Sequence, residues 1–173
     1  EEIFKPDVES LEVTKAPDKL LYKVGEAFDE TGMEITAHYV DGTSEVVTGY
    51  TVTGFDSTAD KAQYVTISFG DVSVNLEVEV DSGFTIDENG MITGYEGDES
   101  EAVLPDSIDD IKVEGFADIA LQDSLLRKIT VNEYYLTIGN NVFPDGITIV
   151  CMSGSDIFNY AMMNNIKTET IDT

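Results

Sequence analysis

Two groups of acidic residues are the first candidates for chemistry in this sequence. Asp98, Glu99 and Glu101 lie within four positions of one another, and Asp109 is followed directly by Asp110. Paired carboxylates can act as acid and base in glycoside hydrolysis, or bind calcium through their oxygen atoms. Neither group has the spacing of a calcium-binding loop, and 35 acidic residues among 173 make adjacent carboxylates unavoidable. We expect a solvated acidic face, and calcium remains an alternative partner that the spacing disfavours.

The other reactive side chains also favour structural roles. The single cysteine, Cys151, lies in the apolar run I-T-I-V-C-M, and we expect it to be buried as a small hydrophobe. The single histidine, His38, lies in an alternating run that is typical of a strand. Asp87-Glu88-Asn89-Gly90 looks like half a calcium loop, but it lacks the ligands that should follow and fits a hairpin turn. No nucleophile elbow, phosphate-binding loop, zinc spacing or dinucleotide fingerprint is present. We therefore predict a protein that is not an enzyme and uses no cofactor or metal.

Two adjacent tyrosines are the best candidates for ligand binding. Tyr134 and Tyr135 lie in an alternating segment, so at least one ring is expected to face solvent. Sugar rings stack on such side chains, and tyrosine is enriched at recognition sites. The predicted ligand-binding face is a strand that carries Thr130, Asn132, Tyr134 and Tyr135. The basic pair Arg127-Lys128 at its start would offset repulsion of acidic partners. The alternative is that the tyrosines only fill space on the surface.

The net charge of −26 is spread along the whole chain. Residues 1–80 carry five basic and 17 acidic side chains, and residues 81–173 carry four and 18. Such a field repels phosphate backbones and anionic headgroups, so we expect no nucleic-acid partner and no membrane surface. No apolar run reaches the roughly 18 residues that a membrane span needs. The first residues, E-E-I-F-K-P, are not a leader, so the protein is either cytosolic or has lost its leader.

Residues 11–80 show short strands that are broken by turn residues, after a lead-in at residues 1–10. Residues 33–40 alternate, with Met33, Ile35, Ala37 and Tyr39 on one side. Asp41-Gly42 is a strong hairpin signal, and residues 72–80 form a second stripe of period two. About seven short strands without helical periodicity predict a small β-sandwich.

The second half contains a degenerate repeat with an offset of 22 residues. V-E-G-F-A-D-I-A-L at 113–121 aligns with Y-L-T-I-G-N-N-V-F at 135–143, so that Phe116 falls on Ile138. An offset in the twenties, with one strand and one corner per copy, is typical of a solenoid. After a linker at 81–83, residues 84–173 are therefore predicted to form a short β-solenoid with little helix.

One short helix is predicted near the end of the sequence. Ser155 or Asp156 is placed to cap it, and Asn164-Asn165 to end it. The side chains expected to face inward are Ile157, Tyr160, Ala161 and Met163.

Four motifs give the first segment a family resemblance. Y-K-V-G-E, D-E-T-G, Y-V-D-G and T-G-F-D follow one another between residues 11 and 80. In order and spacing they resemble the bacterial immunoglobulin-like domain of the group found in surface proteins of Gram-positive bacteria. One departure is Ala62-Gln63 before Tyr64, where the family commonly has a glycine. The resemblance implies an immunoglobulin-like spacer or binding module without catalytic residues.

Two motifs of the second segment carry another resemblance. I-G-N-N-V-F at 138–143 and G-S-D-I-F-N-Y-A-M-M-N at 154–164 resemble the corner and closing coil of BspA-type leucine-rich repeats. The first repeat departs most, with Phe116-Ala117 where Ile-Gly is usual. The resemblance implies a leucine-rich-repeat-like solenoid of two to three coils.

Both families occur on bacterial cell surfaces, and this sets the functional expectation. The resemblances imply an extracellular, non-enzymatic protein that serves adhesion or presents a ligand, and that binds a host or cell-wall glycan or protein. One alternative is an accessory module, carbohydrate-binding or spacer, of a secreted polysaccharide-degrading enzyme. A second alternative is a purely structural spacer.

Overall fold

The computed structural model describes residues 5–171, which contain 17 β-strands and one α-helix. The mainly β class predicted from the sequence is confirmed. The described residues form two compact units. Unit 1 comprises residues 5–22, 26–56 and 62–79, and unit 2 comprises residues 23–25, 57–61 and 80–171. The domain boundary at 81–83 stays a prediction.

Seven strands lie wholly or mostly in unit 1. They are β1 (Val8–Lys15), β2 (Leu21–Tyr22), β3 (Glu34–Tyr39), β4 (Ser44–Val47), β5 (Thr51–Thr53), β6 (Ala59–Phe69) and β7 (Val72–Val80). β1, β3 and β4 form an antiparallel sheet in that order. In the second sheet β7 lies between β6 and β2, and β5 pairs with β6.

The core of unit 1 follows from the alternation of its strands. Ile35, Ala37 and Tyr39 are buried on one side of β3, as the sequence predicts. They pack in one cluster with Val47 of β4 and Ile67 of β6, so the two sheets enclose a common core. The predicted immunoglobulin-like β-sandwich is confirmed.

The hairpin between β3 and β4 is also confirmed. Gly42 has a φ of 83°, a conformation that favours glycine, and its backbone N–H donates to the Tyr39 carbonyl. The Asp41 carboxylate accepts hydrogen bonds from the backbone and hydroxyl of Thr43. These bonds hold the pKa of Asp41 below its usual value.

Unit 2 contains ten further strands and the helix. They are β8 (Phe84–Ile86), β9 (Met91–Tyr95), β10 (Glu101–Val103), β11 (Ser107–Ile108), β12 (Ile111–Lys112), β13 (Gly115–Phe116), β14 (Lys128–Val131), β15 (Thr137–Ile138), β16 (Thr148–Cys151), α1 (Asp156–Met163) and β17 (Lys167–Thr170). β10, β14, β16 and β17 form one parallel sheet. β9, β13 and β15 form another, with β8 antiparallel on β9.

From β13 to β16 the chain alternates between these two parallel sheets. Each circuit, which we call a coil, adds one strand to each sheet. Phe116 pairs with Ile138, so the strand register equals the 22-residue offset in the sequence. Inward residues of successive strands lie over one another in the core, as Ile129 and Ile149 do.

Gly115 permits the close approach of β13 and β15. A Cβ atom at this position would lie 1.9 Å from the Thr137 carbonyl oxygen, which is backbone. A side chain of any size would therefore push the coils apart. The glycine fixes the spacing of the stack.

The corner after each of these strands has a left-handed residue. Ile119 has a φ of 56°, and Asn141, its equivalent 22 residues later, has a φ of 51°. Ile119 N–H donates to the Asn140 carbonyl, which joins the two corners. Asparagine adopts this conformation readily, whereas a β-branched residue is strained in it.

The segment predicted as a linker is hydrogen-bonded within unit 2. Ser82 is buried, and its backbone N–H donates to the Asp60 carboxylate over 2.8 Å. The Ser82 hydroxyl donates to the same carboxylate. Burial raises the pKa of Asp60 against the opposing effect of these bonds, and the charges of Asp81 and Asp109 add to the rise.

Helix α1 agrees with the prediction except at Met163. The Ser155 hydroxyl caps it by accepting from the Phe158 N–H, and Ile157 and Ala161 are buried. Tyr160 is half-buried. Met163 is 78% exposed, so the prediction that Met163 faces inward is wrong. Met163 lies two residues beyond Ala161, which places it about 200° around the helix axis and away from the core. No helix of the described residues is long and apolar enough to cross a membrane.

Candidate functional site

The four predicted ligand-binding residues do not share a strand. Thr130 lies in β14, which ends at Val131, whereas Asn132, Tyr134 and Tyr135 follow in the loop 132–136. The prediction of a continuous strand is wrong there, because the chain must turn from one parallel sheet towards the other. Both tyrosines are exposed, and consecutive residues of a strand would point to opposite faces.

Tyr134 and Tyr135 nevertheless form a compact aromatic pair. Their ring centroids are 4.9 Å apart with an interplanar angle of 70°, which is an edge-to-face contact. Tyr134 is 39% exposed and Tyr135 is 79% exposed. The inner ring supports the outer one, and Tyr135 presents a large apolar surface to solvent. We call these two residues the tyrosine pair.

The backbone around the tyrosine pair is fixed by the start of α1. Asp156 N–H donates to the Tyr134 carbonyl over 3.0 Å, and the Asp156 carboxylate accepts from Leu136 N–H over 3.1 Å. Leu136 is buried and anchors the loop in the core. Gly154 leaves room for the inner ring, because a Cβ atom there would lie 3.1 Å from the Tyr134 hydroxyl oxygen. Asp156 is a positioning residue that the sequence suggested only as a helix cap.

Thr130 faces a different part of the surface. Its neighbours in register are Val103 on β10 and Val150 on β16. It lines a groove of about 130 Å³ whose other lining residues include Glu101 and Lys128. The groove belongs wholly to unit 2.

Lys128, one residue of the predicted basic pair, forms an ion pair with an acid of the same sheet. Lys128 Nζ lies 3.0 Å from a carboxylate oxygen of Glu169, which raises the pKa of Lys128 and lowers that of Glu169. The Arg127 guanidinium donates to the Leu126 carbonyl over 2.9 Å. The positive charge of Lys128 is therefore balanced within the sheet.

The acidic groups have structural surroundings. Asp109 and Asp110 form the two-residue turn between β11 and β12, both with positive φ, and Asp110 pairs with Lys61. Asp98, Glu99 and Glu101 are exposed. Within residues 5–171, no three His, Cys, Asp or Glu side chains are grouped so that they could hold a metal ion.

Two other candidates take the structural roles expected of them. The Asp87 carboxylate accepts hydrogen bonds from the backbone N–H groups of Asn89 and Met91, both over 2.9 Å, in the turn between β8 and β9. These bonds lower the pKa of Asp87.

Cys151 is fully buried, and burial raises the pKa of its thiol, which makes it a poor nucleophile.

Comparison with known proteins identifies the first segment. Residues 14–80 match the family model of the bacterial Ig-like domain (group 3). A 76-residue stretch is 38% identical to pectate lyase L of Thermoclostridium stercorarium, which amounts to 43% of this chain and 6% of the pectate lyase. The matched stretch thus covers less than half of this chain and only a small part of that relative. From its motifs, its sandwich fold and this match, the segment at residues 14–80 is a bacterial Ig-like domain of group 3, which is a non-catalytic module.

Proposed function

We propose that the chain is a non-catalytic accessory part of a secreted protein that acts on polysaccharide. The observation that carries this proposal is the similarity to pectate lyase L. A match that covers 6% of an enzyme is typical of an appended domain and not of a catalytic one. An extracellular location follows from the same proposal.

The second segment, 84–173 as far as it is described, is proposed to be a leucine-rich-repeat-like solenoid of the BspA type. Three features support this: the parallel sheets, the 22-residue strand register and the left-handed corners at Ile119 and Asn141. Coils of this kind present a surface built from successive equivalent positions. In this arrangement the Ig-like domain serves as a spacer, and the repeat carries the ligand surface.

The tyrosine pair is the proposed point of contact with glycan. Tyr135 is mostly exposed, and its backbone neighbour Tyr134 is held by Asp156, so little conformational freedom is lost on binding. An aromatic contact contributes on the order of 1 kcal/mol. Binding to one sugar unit should therefore be weak, and useful retention would depend on repeated units or several protein copies.

Cell-surface adhesion is a second candidate, favoured by the BspA-type closing motif at 154–164. In that case the same surface would meet a protein or a host glycan. The two candidates differ in the partner and not in the residues that would touch it.

Affinity electrophoresis in gels that contain soluble polysaccharides tests the proposal. We expect at least one polysaccharide to retard the protein, and the double variant Tyr134→Ala/Tyr135→Ala to migrate faster in that gel. Tyr64→Ala is the matched control, because Tyr64 is a 60% exposed tyrosine of unit 1. Retardation of the double variant equal to that of the wild type would remove the tyrosine pair from the proposal. Absence of retardation by every polysaccharide would overturn the proposed function and leave adhesion to protein as the better candidate.

A further inference from the structure

A second concavity of unit 2 is rich in amide side chains. It has a volume of about 360 Å³, within the range of about 300–1,000 Å³ seen for small-molecule sites. Its amide residues come from three successive parts of the repeat and are Gln122, Asn141, Asn164 and Asn165. We call it the amide concavity.

Two aromatic residues that line the amide concavity, Phe143 and Tyr160, are packed on each other and on the core. Tyr160 packs edge-to-face on Phe143, with ring centroids 5.9 Å apart, and Phe143 packs in the same way on the buried Phe116 at 5.3 Å. The Tyr160 hydroxyl oxygen also accepts a hydrogen bond from Val142 N–H over 3.4 Å. The tyrosine is thereby tied to the core of the coil beneath it.

The backbone also restricts the amides. Asn141 and Asn165 have left-handed backbones with φ of 51° and 54°. Asn164 closes α1, and its side-chain N–H₂ group donates to the Tyr160 carbonyl over 2.9 Å. An amide side chain offers a donor and an acceptor side by side, which suits the neighbouring hydroxyls of a sugar.

The charge of the amide concavity sets it apart from much of the acidic surface. Its lining includes one acid, Asp145, and one base, Lys167, which lies 3.5 Å from Glu169. Another concavity of unit 2 is lined by Asp81, Glu96 and Asp98 with a single lysine. A site with no excess of positive charge, on a chain of net charge −26, repels uronate polymers but accepts uncharged hydroxyl-rich ligands.

We infer that the amide concavity binds uncharged sugar residues of a neutral polysaccharide. This inference rests on the proposed function and narrows its ligand class, because it excludes the acidic polymers. It also adds a contact region that is separate in sequence from the tyrosine pair. The two regions lie at opposite ends of α1, whose eight residues span about 12 Å.

The test measures affinity for neutral polymers (galactan, arabinan, xylan and mannan) and for polygalacturonate by affinity electrophoresis. We expect a neutral polymer to retard the wild type and Gln122→Ala/Asn141→Gly to weaken that binding about tenfold, as two lost neutral hydrogen bonds imply. The glycine keeps the left-handed conformation of residue 141. Gln122→Ala alone replaces an exposed side chain. A several-fold loss of affinity in this variant would show that the amide itself contributes to binding, without any change in the backbone.

Asn159→Ala is the matched control, since Asn159 is an exposed amide of α1 outside the concavity and should leave affinity unchanged. Retardation by polygalacturonate alone, or equal binding by the wild type and both concavity variants, would overturn the assignment while leaving the proposed function standing. If no polymer retards the wild type, the proposed function itself fails and this inference fails with it.

Discussion

Ile119 is strained by its own backbone, and replacing it with asparagine should stabilise unit 2. The residue has a φ of 56° although its side chain is branched at Cβ, and it is 61% exposed. The equivalent position of the next coil is Asn141, with nearly the same φ. Ile119→Asn would therefore give both corners the same residue.

The expected gain is the difference between two terms. The left-handed conformation costs an L-residue about 1–2 kcal/mol, and asparagine recovers much of this. This gain is opposed by the loss of the hydrophobic contribution that the buried part of the Ile119 side chain makes. Full burial of isoleucine contributes about 1.5–3 kcal/mol, of which a mostly exposed residue loses about 0.5 kcal/mol on becoming an asparagine of similar length. The net expectation is a stabilisation of about 0.5–1 kcal/mol.

Scanning calorimetry can measure this effect. For a domain of about 100 residues, 1 kcal/mol shifts Tm by about 4–8 °C. The rise should occur in the transition that belongs to unit 2.

Leu125 provides the control for the apolar term. It is also 61% exposed, but its φ is not positive. Leu125→Asn should lose the same apolar contribution without relief of strain, so the two variants should differ by about 1 kcal/mol or more. Equal Tm values for Ile119→Asn and Leu125→Asn would refute the argument that Ile119 is strained.

Three further changes test the packing, the electrostatics and the helix cap. Gly115→Ala should destabilise unit 2 by several kcal/mol or prevent its folding, because the new Cβ would meet the backbone of Thr137; Gly146→Ala has open space around it and should cost only about 1 kcal/mol for its positive φ. Calorimetry that gave the two alanine variants equal stability would contradict this. Burial raises the pKa of Asp60 in the folded state, so the protonated carboxyl favours folding. The contribution of Asp60 to the free energy of unfolding is therefore present near its unfolded pKa of about 4, and it is lost as pH rises through the higher folded pKa. The stability of Asp60→Asn relative to the wild type, from urea unfolding, should therefore increase from about pH 4 to pH 7, and a difference independent of pH would argue against this assignment. Ser155→Ala should cost about 1 kcal/mol by removing the cap of α1, and an unchanged urea midpoint would show that the cap contributes nothing.

Local patterns in the sequence predicted much of the fold. The alternation of residues 33–40 predicts which side of β3 is buried, because side chains of a strand point alternately to its two faces. The 22-residue offset predicts the pairing of Phe116 with Ile138, since stacked coils place equivalent residues side by side. The position before an amphipathic segment predicts a cap at Ser155 or Asp156, and the cap is Ser155.

Features that depend on distant parts of the chain were not predicted. Residues 57–61 belong to unit 2, where β11 pairs in parallel with residues 59–60, although their sequence continues the strand pattern of the first segment. The hydrogen bonds between Asp60 and Ser82 connect residues 22 apart with no shared motif. Nothing in the local sequence distinguishes these contacts from ordinary strand and turn residues.

The candidate sites also combine local features that the sequence predicts with features that depend on distant residues. The exposure of at least one of the two adjacent tyrosines was predicted, but the end of β14 at Val131 was not, because Asn132 to Leu136 still resemble a strand. The amide concavity was missed altogether. Its asparagines look like turn residues when each is read alone, and the coil geometry brings them together from positions about 20 residues apart.

The reciprocal bonds between Asp156 and the loop 132–136 link the mobility of the tyrosine pair to that of the helix. The Leu136 and Asp156 amide hydrogens are both engaged in this arrangement, so neither can open to solvent while the loop stays in place. Opening of the loop and fraying of the first turn of α1 should thus be one cooperative event, with a common rate of amide hydrogen exchange. A ligand that rests on Tyr135 would slow exchange at the start of α1, although it touches none of the helix backbone.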